Sequence, residues 1–366
     1  MELSVTQENL SKALSNVSRV ASAKAGLPIL NNILLRTDGT RLLIAATNLE
    51  IAVTYLIGAK IASPGSITIP SRLISDFVSS LPKGQISLKV EKDHLVIKSG
   101  SYQSTINGIV ADDFPELPVI DEKSSISYQI NPVDFKQAVS QTIITASSDA
   151  TRPVLTGVYW HSHEGSLYLA ATDGYRLSER RLMETSSEVS AIIPSTTLQE
   201  VLKNVSDDVT EIDVLLDETQ VRFRVGDSEI TSRLIDGNYP DYRQLIPSTS
   251  ETNVVVDGGE FSRIVKIAGL FARDAGGSVT LNADADKKEL EIHSIASELG
   301  ENTSSAKADI TNNGVITLNS RYVTEALNAV DSDSIKFRFS GKLSPCVVTE
   351  NTDSPDYVHI IMPLKS

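Results

Sequence analysis

The feature that most constrains this chain of 366 residues is a helical pattern that occurs three times along it. The copies read "IPSRLISDFVSSL" from Ile69, "IPSTTLQEVLKNV" from Ile193 and "LNSRYVTEALNAV" from Leu318. In each copy apolar residues recur at i, i+3, i+4 and i+7, which predicts one apolar helix face. A second helical pattern, first seen around Leu10, repeats in step at a period of about 125 residues. Two independent patterns with one period predict three copies of one structural unit.

The remainder of each repeat has the alternation of β-strands. "ISLKVEKDHLVIKSG", "IDVLLDETQVRFRVG" and "IKFRFSGKLSPCVVTEN" alternate apolar and polar residues on both sides of a turn, which predicts hairpins with one solvated face. The predicted fold class is therefore α+β, with three similar domains, each of two helices packed on antiparallel sheets. Polar segments that contain proline place the boundaries near Asp121 and Ser248. The predicted domains are 1–121, 122–248 and 249–366.

Catalytic, metal and membrane functions find little support in the residues. The single cysteine, Cys346, excludes a disulfide framework and a thiolate zinc site. His161 and His163 share one strand face without a third ligand in sight, so we predict no metal and no cofactor. A nucleophile elbow and a phosphate loop are both lacking, and we expect no enzyme, although a hydrolase with dispersed residues stays an alternative. Neither a signal core nor a run of about 20 apolar residues occurs, which favours a cytoplasmic protein with no membrane partner.

The net charge is −14, and the predicted helices carry little of it. They contain nine basic and eight acidic residues, in the spans 7–22, 71–81, 132–148, 195–206, 259–274 and 319–331. This balance fits either ordinary solvated helix faces or a helix-lined surface that tolerates a polyanion, while acidic strands repel it elsewhere. Lys24 and Arg152 lie in corresponding loops and are either ordinary loop charges or additional cations for such a surface.

Four segments together resemble the bacterial sliding clamp family, the beta subunit of DNA polymerase III. They are "LPILNNILL" from Leu27, "AATDGYRLS" from Ala170, "DGNYPDYRQLIP" from Asp236 and "IIMPLKS" from Ile360, and the resemblance covers the whole chain. It implies a head-to-tail homodimer that closes a six-domain ring, with helices lining a hole through which duplex DNA passes without sequence specificity. It also implies a nucleoid-associated protein without enzymatic activity. A repeat adaptor that binds only proteins would share the peptide pocket and lack the hole.

The resemblance implies that short peptide motifs of the partners bind in a pocket between the second and third domains. The implied partners are the polymerase III alpha subunit, the clamp loader delta subunit, other polymerases and mismatch repair proteins. The implied pocket residues are Leu155, Thr172, Gly174, Tyr175, Arg176, Leu177, Pro240, Asn319, Tyr322, Leu343, Ile360, Ile361, Met362, Pro363 and Leu364. The implied DNA-binding residues are Lys24, Arg72 and Arg152.

This sequence departs from the family pattern at the rim of the implied pocket. Tyr175 stands where relatives often have histidine, and Pro345 stands where serine is commoner and so removes a donor. Lys365-Ser366 replaces a more apolar ending. For the dimer contact we expect the first domain's edge strand near Ile106 to meet the third domain, with Leu270-Phe271 as the candidate apolar group there.

Overall fold

The computed structural model describes residues 1–21, 27–272, 276–297, 300–330 and 332–364. These residues form six α-helices, which confirms the helical part of each repeat. They are α1 Gln7–Val17, α2 Ser71–Ser80, α3 Pro132–Ile143, α4 Ser195–Asn204, α5 Gly258–Phe271 and α6 Ser320–Val330.

The described residues also form 25 β-strands, and all of their pairings are antiparallel, as the hairpin patterns predict. The first ten are β1 Glu2–Thr6, β2 Asn32–Asp38, β3 Arg41–Thr47, β4 Ile51–Gly58, β5 Lys60–Ser63, β6 Ser66–Pro70, β7 Gln85–Glu91, β8 His94–Ser99, β9 Tyr102–Asn107 and β10 Ile126–Ile130. The next seven are β11 Gly157–His163, β12 Ser166–Thr172, β13 Arg176–Glu184, β14 Ser190–Pro194, β15 Ile212–Leu216, β16 Gln220–Val225 and β17 Ser228–Arg233. The last eight are β18 Thr252–Asp257, β19 Ser278–Asp284, β20 Glu289–Ala296, β21 Gly300–Ile310, β22 Gly314–Asn319, β23 Ser334–Phe339, β24 Cys346–Glu350 and β25 Tyr357–Ile361.

Two helices end earlier than the apolar pattern predicts. The prediction for α1 ran to residue 22 and that for α3 to residue 148, whereas the helices end at Val17 and Ile143. Arg19 Nη1 donates to the Ser15 carbonyl at 2.9 Å, a group that the end of α1 leaves without a helical partner. After α3, the hydroxyl of Thr145 donates to the Thr142 carbonyl at 2.9 Å. Side chains that bond to nearby carbonyls replace the next helical turn at both ends.

Packing divides the described residues into two compact units. Unit 1 contains residues 1–132 and 196–234, and unit 2 contains 133–195 and 235–366. The middle repeat is divided between the two units because its strands pair with strands of both neighbouring repeats. β17 pairs with β4 of the first repeat in unit 1, and β13 pairs with β25 of the third repeat in unit 2. The domain boundaries near Asp121 and Ser248 stay predictions.

Unit 1 is built from two antiparallel sheets and the helices α1, α2 and most of α4. The five-stranded sheet has the order β5-β1-β7-β8-β9, and the eight-stranded sheet has the order β10-β15-β16-β17-β4-β3-β2-β6. The apolar face of α1 is fully buried at Leu10 and Leu14, and that of α2 at Ile74. An ion pair of 2.8 Å joins Arg19, beyond α1, to Glu200 of α4.

Unit 2 is built from one sheet of twelve strands and the helices α3, α5 and α6. The strand order is β14-β11-β12-β13-β25-β24-β23-β18-β21-β20-β19-β22. Phe261 of α5 packs edge-on against Phe337 of β23, with ring centroids 5.6 Å apart, in the core beneath α5 and α6. Gln141 Nε2 of α3 donates to the Ala329 carbonyl of α6 at 2.7 Å, so that these two helices lie side by side.

Candidate peptide-binding groove

The candidate groove is formed in unit 2, where strands of the second and third repeats meet. β13 pairs with β25, with Arg176 opposite Ile361 and Leu177 opposite Ile360. Because the strands are antiparallel, the loop that enters β13 lies beside the segment that leaves β25. The backbone N–H of Met362 donates to the Tyr175 carbonyl at 2.8 Å and extends this pairing by one bond. Residues far apart in the chain are thereby held at one surface.

The loop between β12 and β13 is fixed by its own hydrogen bonds. The Thr172 hydroxyl donates to the Arg176 carbonyl at 2.7 Å and accepts the N–H of Gly174 at 3.1 Å. Asp173 Oδ1 accepts the N–H groups of Tyr175 and Arg176 at 2.9 and 3.0 Å. Gly174 has φ +93°, a conformation that favours glycine. The loop presents Tyr175 to solvent, with 63% of its surface exposed.

Arg176 is the internal support of the groove. Its guanidinium donates from Nε to Asp173 Oδ2 at 3.1 Å and from Nη2 to the Ile144 carbonyl at 2.6 Å. It also forms an ion pair with Glu325 of α6 and lies 4.5 Å above the Tyr322 ring centroid. The side chain is only 7% exposed, so it joins the loop to α6 and the residues after α3. It is not a free charge for a ligand.

Four of the predicted pocket residues are core side chains in this structure. Leu177, Ile360 and Ile361 are between 0% and 2% exposed, and Leu155, on a short 3-10 turn, is 7% exposed. Leu177 and Ile360 pack with Ala170 in an apolar layer beneath the surface. Direct contact of these four residues with a peptide stays a prediction.

The open wall of the groove comes from the segment that follows β25 and from residues around it. The N–H of Leu364 donates to the Thr317 carbonyl at 2.8 Å, so the segment is held to β22 at one end and to Tyr175 at the other. Met362, Pro363 and Leu364 are partly exposed there. Tyr322 is partly buried, and the N–H of Arg321 donates to Asn319 Oδ1 at 3.0 Å at the start of α6.

Two predicted pocket residues are exposed on the surface of unit 2. Leu343 is 73% exposed in the turn between β23 and β24. Pro240 is exposed and directly follows Tyr239, whose hydroxyl accepts the Thr172 N–H at 3.0 Å. Pro240 is therefore connected to the loop that enters β13. For Leu343 the assignment to the pocket stays a prediction.

Sequence reasoning missed a buried polar cluster that supports the apolar layer. Tyr242, which packs in that layer, donates its hydroxyl to Glu179 and lies 2.6 Å from Nε2 of His161. Arg243 pairs with Glu179 at 2.9 Å and lies 4.4 Å above the Tyr168 ring centroid. The segment "YPDYR" from Tyr239 contributes two of these residues, Tyr242 and Arg243. Nothing in local sequence shows that its second tyrosine and its arginine meet β13.

The protonation states of this cluster follow from burial. Burial, and then the positive charge of Arg243, lower the pKa of His161 to about 4. Burial and the carboxylate of Glu179 raise the pKa of Tyr242. Both groups are therefore neutral at pH 7. The imidazole of His161 and the phenol of Tyr242 therefore keep one protonation state near neutrality.

The structure describes two of the three predicted DNA-binding residues, Arg72 and Arg152. Lys24 lies outside the described residues. Arg72, on α2 of unit 1, has a side chain that is 96% exposed, and its ion pair with Asp76 measures 3.8 Å. Arg152, in unit 2, is half-exposed and pairs with Asp149 at 3.4 Å. A Cβ added at Gly174 would lie 3.5 Å from Arg152 Nη1, which places this arginine beside the groove loop.

Neither a metal centre nor a membrane span is present in the part of the chain that the structure describes. Within it, no cluster of three or more histidine, cysteine or carboxylate side chains has the geometry to hold a metal ion. The helices of the described ranges are too short or too polar to cross a bilayer.

Comparison with known proteins defines the class of molecule to which this fold and groove belong. Three family models match in succession: the N-terminal domain of the DNA polymerase III beta subunit at residues 1–118, its central domain at 129–241 and its C-terminal domain at 243–365. The "Beta sliding clamp" of Staphylococcus aureus strain Mu50 is 30% identical over the full length of both chains, and that of Bacillus subtilis is 29% identical over the full length of both.

Solved structures agree with these sequence comparisons. The crystal structure of the Bacillus subtilis DNA polymerase sliding clamp has a TM-score of 0.95 at 29% identity, covering 100% of this chain and 99% of that one. The beta subunit from the DNA polymerase of Streptococcus pyogenes has a TM-score of 0.94 at 25% identity, with full coverage of both chains. These structures are sliding clamps, the class that keeps a DNA polymerase on its template and is not an enzyme.

The chain belongs to the DNA polymerase III beta subunit family. Membership implies DNA and a DNA polymerase as partners, and a homodimer.

Proposed function

We propose that the unit 2 groove binds short linear peptides of proteins that act at the replication fork. The proposed partners are the polymerase III alpha subunit, the clamp loader delta subunit, other polymerases and mismatch repair proteins. The observation that carries this proposal is the bond from the Met362 N–H to the Tyr175 carbonyl, which sets the open segment after β25 beside an exposed aromatic ring. Aromatic and aliphatic side chains with a few fixed polar groups suit an apolar peptide anchor.

The predicted pocket residues divide into three groups in this proposal. Tyr175, Met362, Pro363, Leu364, Pro240 and Leu343 are accessible in whole or in part, and they are proposed to contact the peptide. Leu177 and Ile360 form the apolar layer behind them, and Leu155 and Ile361 are also buried. We propose that the peptide anchors reach these four residues. Thr172, Gly174, Arg176, Asn319 and Tyr322 hold the loop and the start of α6 in place.

The protein is further proposed to close a ring around duplex DNA as a head-to-tail dimer. β9 is the outermost strand of the five-stranded sheet, and it corresponds in the repeat to β17 and β25. Those two strands pair with β4 and β13, whose counterpart in the third repeat is β21. β21 pairs with β20 over residues 300–307 and with β18 only over residues 308–310, so among the described residues the second edge of its first part has no pairing, as is also true of the outer edge of β9. The equivalents of these two edges are joined within the chain. Pairing of β9 with β21 of a second copy would satisfy both.

This pairing modifies the expectation for the dimer contact at one residue. The β9 edge is retained, but Ile106 itself is only 5% exposed because it is buried within its own chain, so it offers no apolar group to a partner. On the third repeat, Leu270 at the end of α5 is 52% exposed and is available for such a contact. Phe271 beside it is partly buried.

DNA contacts are proposed at Lys24, Arg72 and Arg152, through phosphate groups and without base reading. The exposure of the Arg72 side chain and the long distance of its ion pair leave it available to a phosphate. The domains are proposed to extend over 1–121, 122–248 and 249–366, and the protein to act in the cytoplasm at the nucleoid.

The groove assignment is tested by removing the segment that forms its open wall. Overlapping fluorescent peptides tiled across the alpha subunit identify the segment that binds the full chain. Micromolar affinity corresponds to about 8 kcal/mol, and the loss of one anchor contact of about 2 kcal/mol weakens binding roughly 30-fold. We expect a loss of this size on deletion of residues 362–366. The matched control, Leu73→Ala, alters an exposed residue on α2 of unit 1 and should leave affinity unchanged. Equal affinity of the deleted and intact chains would refute the assignment.

The ring is tested separately by light scattering and by retention on DNA. We expect a particle of twice the chain mass of 39.5 kDa at micromolar concentration. Loaded protein should stay on nicked circular DNA and leave when the circle is cut. A stable monomer, or equal loss from circular and linear DNA, would contradict encirclement.

A further inference from the structure

The turn between β3 and β4 in unit 1 is a second copy of the turn that shapes the unit 2 groove. The Thr47 hydroxyl donates to the Ile51 carbonyl at 3.0 Å and accepts the Leu49 N–H at 3.1 Å. Asn48 Oδ1 accepts the N–H groups of Glu50 and Ile51 at 3.0 and 2.9 Å. Each bond has its counterpart in the loop that enters β13. The two turns therefore share one backbone design.

The strand next to each turn is also equivalent. The N–H of Arg233, at the end of β17, donates to the Glu50 carbonyl at 3.0 Å, as Met362 does to Tyr175 in unit 2. An open cleft of about 670 Å³ lies against this unit 1 turn. Its walls are the turn and the start of β4, the segment 115–119, the start of β16 and the end of β17. We call it the unit 1 cleft.

The side chains of the unit 1 cleft are those of a site that accepts an apolar group beside a basic one. Leu49 and Val119 are 49% and 85% exposed at its surface. The charged residues that line it are two carboxylates, Glu50 and Glu116, and one guanidinium, that of Arg233. The surplus of negative charge favours a positively charged ligand.

The conformation of Leu49 is a second sign of a binding surface. Its φ is +77°, whereas the equivalent residue in unit 2 is Gly174 at +93°. A leucine in this left-handed conformation costs free energy that a glycine would not. The cost is not recovered by burial in the chain itself, since about half of the side chain faces solvent. Contact with a ligand would recover it.

We propose that the unit 1 cleft binds an extended peptide of a partner protein, with an aliphatic side chain against Leu49 and Val119 and a basic side chain at Glu50 and Glu116. β4 already pairs with β3 and β17, so the peptide is held by side-chain contacts and does not add a strand. The inference rests on the proposed function of unit 2 in one respect, that the equivalent groove there also binds peptides.

The test uses the full chain, with its leucine and valine methyl groups labelled for NMR, and a six-residue probe peptide in which leucine alternates with lysine. A control peptide has glutamate in place of lysine. Methyl signals of Leu49, Leu117 and Val119 report on the unit 1 cleft, and those of Leu177 and Leu364 report on the unit 2 groove. The variant Leu49→Gly removes the apolar contact and relaxes the backbone, so it does not unfold the chain. The variant with Glu50→Gln and Glu116→Gln removes the negative charge.

We expect saturable shifts at the unit 1 methyls with the lysine probe, at least fivefold weaker binding to Leu49→Gly, and about threefold weaker binding to the double glutamine variant. Binding that Leu49→Gly leaves unchanged would show a non-specific charge effect and overturn the proposal. Shifts confined to Leu177 and Leu364 would overturn it while supporting the unit 2 groove. Shifts at the unit 1 methyls that depend on protein concentration without the probe would assign the cleft to a second copy of the chain and overturn it as well.

Discussion

Replacing Arg176 by glutamine should loosen the unit 2 groove without removing any residue that is proposed to touch a peptide. The change breaks the ion pairs with Asp173 and Glu325 and the hydrogen bond to the Ile144 carbonyl. Removing one partner of a buried ion pair costs about 3–5 kcal/mol. The Asp173 and Glu325 side chains are 18% and 28% exposed and can be partly rehydrated, so we expect the lower end, about 3 kcal/mol.

Hydrogen exchange measured by mass spectrometry localises this loss. A decrease of about 3 kcal/mol in local stability speeds exchange roughly 150-fold for amides that open with the loop and α6. The matched control is Arg180→Gln, on the same strand and the same face, whose Nη2 donates to Gln137 Oε1 at 3.4 Å near the surface. We expect its exchange to change less than threefold. Unchanged exchange in residues 172–177 of the Arg176 variant, or an equal effect of both variants, would refute the support role of Arg176.

Three further predictions concern acid stability, the groove loop and DNA. Burial first, and a neighbouring arginine second, lower the pKa of His161 to about 4 and that of His359 to about 3, so stability is full above pH 6.5 and is lost as the pH falls. At pH 5 each histidine should lower the free energy of unfolding by about 2 kcal/mol relative to pH 7. Calorimetry should therefore show a smaller drop in Tm between pH 7 and pH 5 for the variant with both histidines changed to glutamine than for the unchanged chain. Gly174→Ala keeps ordinary contacts but strains φ by about 1 kcal/mol, which favours departure of the free loop from the conformation that binds, so peptide affinity measured by fluorescence should fall by up to about fivefold. Arg72→Gln and Arg152→Gln should each reduce the slope of log K against log salt for duplex DNA by about 1, and a slope unchanged in both would remove them from the DNA surface.

The repeat made the fold predictable from the sequence, and the same repeat predicted that related turns occupy equivalent places. Helices with an apolar face over two or three turns, such as α2 and α6, begin and end within one or two residues of their predicted spans. The end of α3 was wrong by five residues, because the pattern of apolar residues does not show that threonine side chains will bond to helix carbonyls. Such bonds depend on rotamers that local composition does not determine.

The candidate groove was predictable by resemblance but its supports were not. Nothing near Arg176 in the sequence indicates that its charge is buried, because its partner Glu325 lies on a helix of the next repeat. The same holds for Tyr242 and Glu179, which meet only when the segment after the second repeat folds back onto β13. Polar residues that are far apart in the sequence become partners only when strand register brings them together in the fold. The sequence between them has no periodic pattern that would predict the pairing.

The turn between β3 and β4 and the turn between β12 and β13 share the residues that maintain the turn and differ in the residues that a ligand would contact. Thr47 and Thr172 make the same pair of hydroxyl bonds, so these positions maintain the turn in both units. The next positions diverge: an exposed tyrosine follows Gly174 in unit 2, and an exposed glutamate follows Leu49 in unit 1. Residues at these positions alter what a ligand meets with little effect on the hydrogen bonds that hold the turn. Divergence after a repeat can therefore give two binding surfaces of different charge on one backbone design, and the exposed residue of each turn is where their ligands should be distinguished.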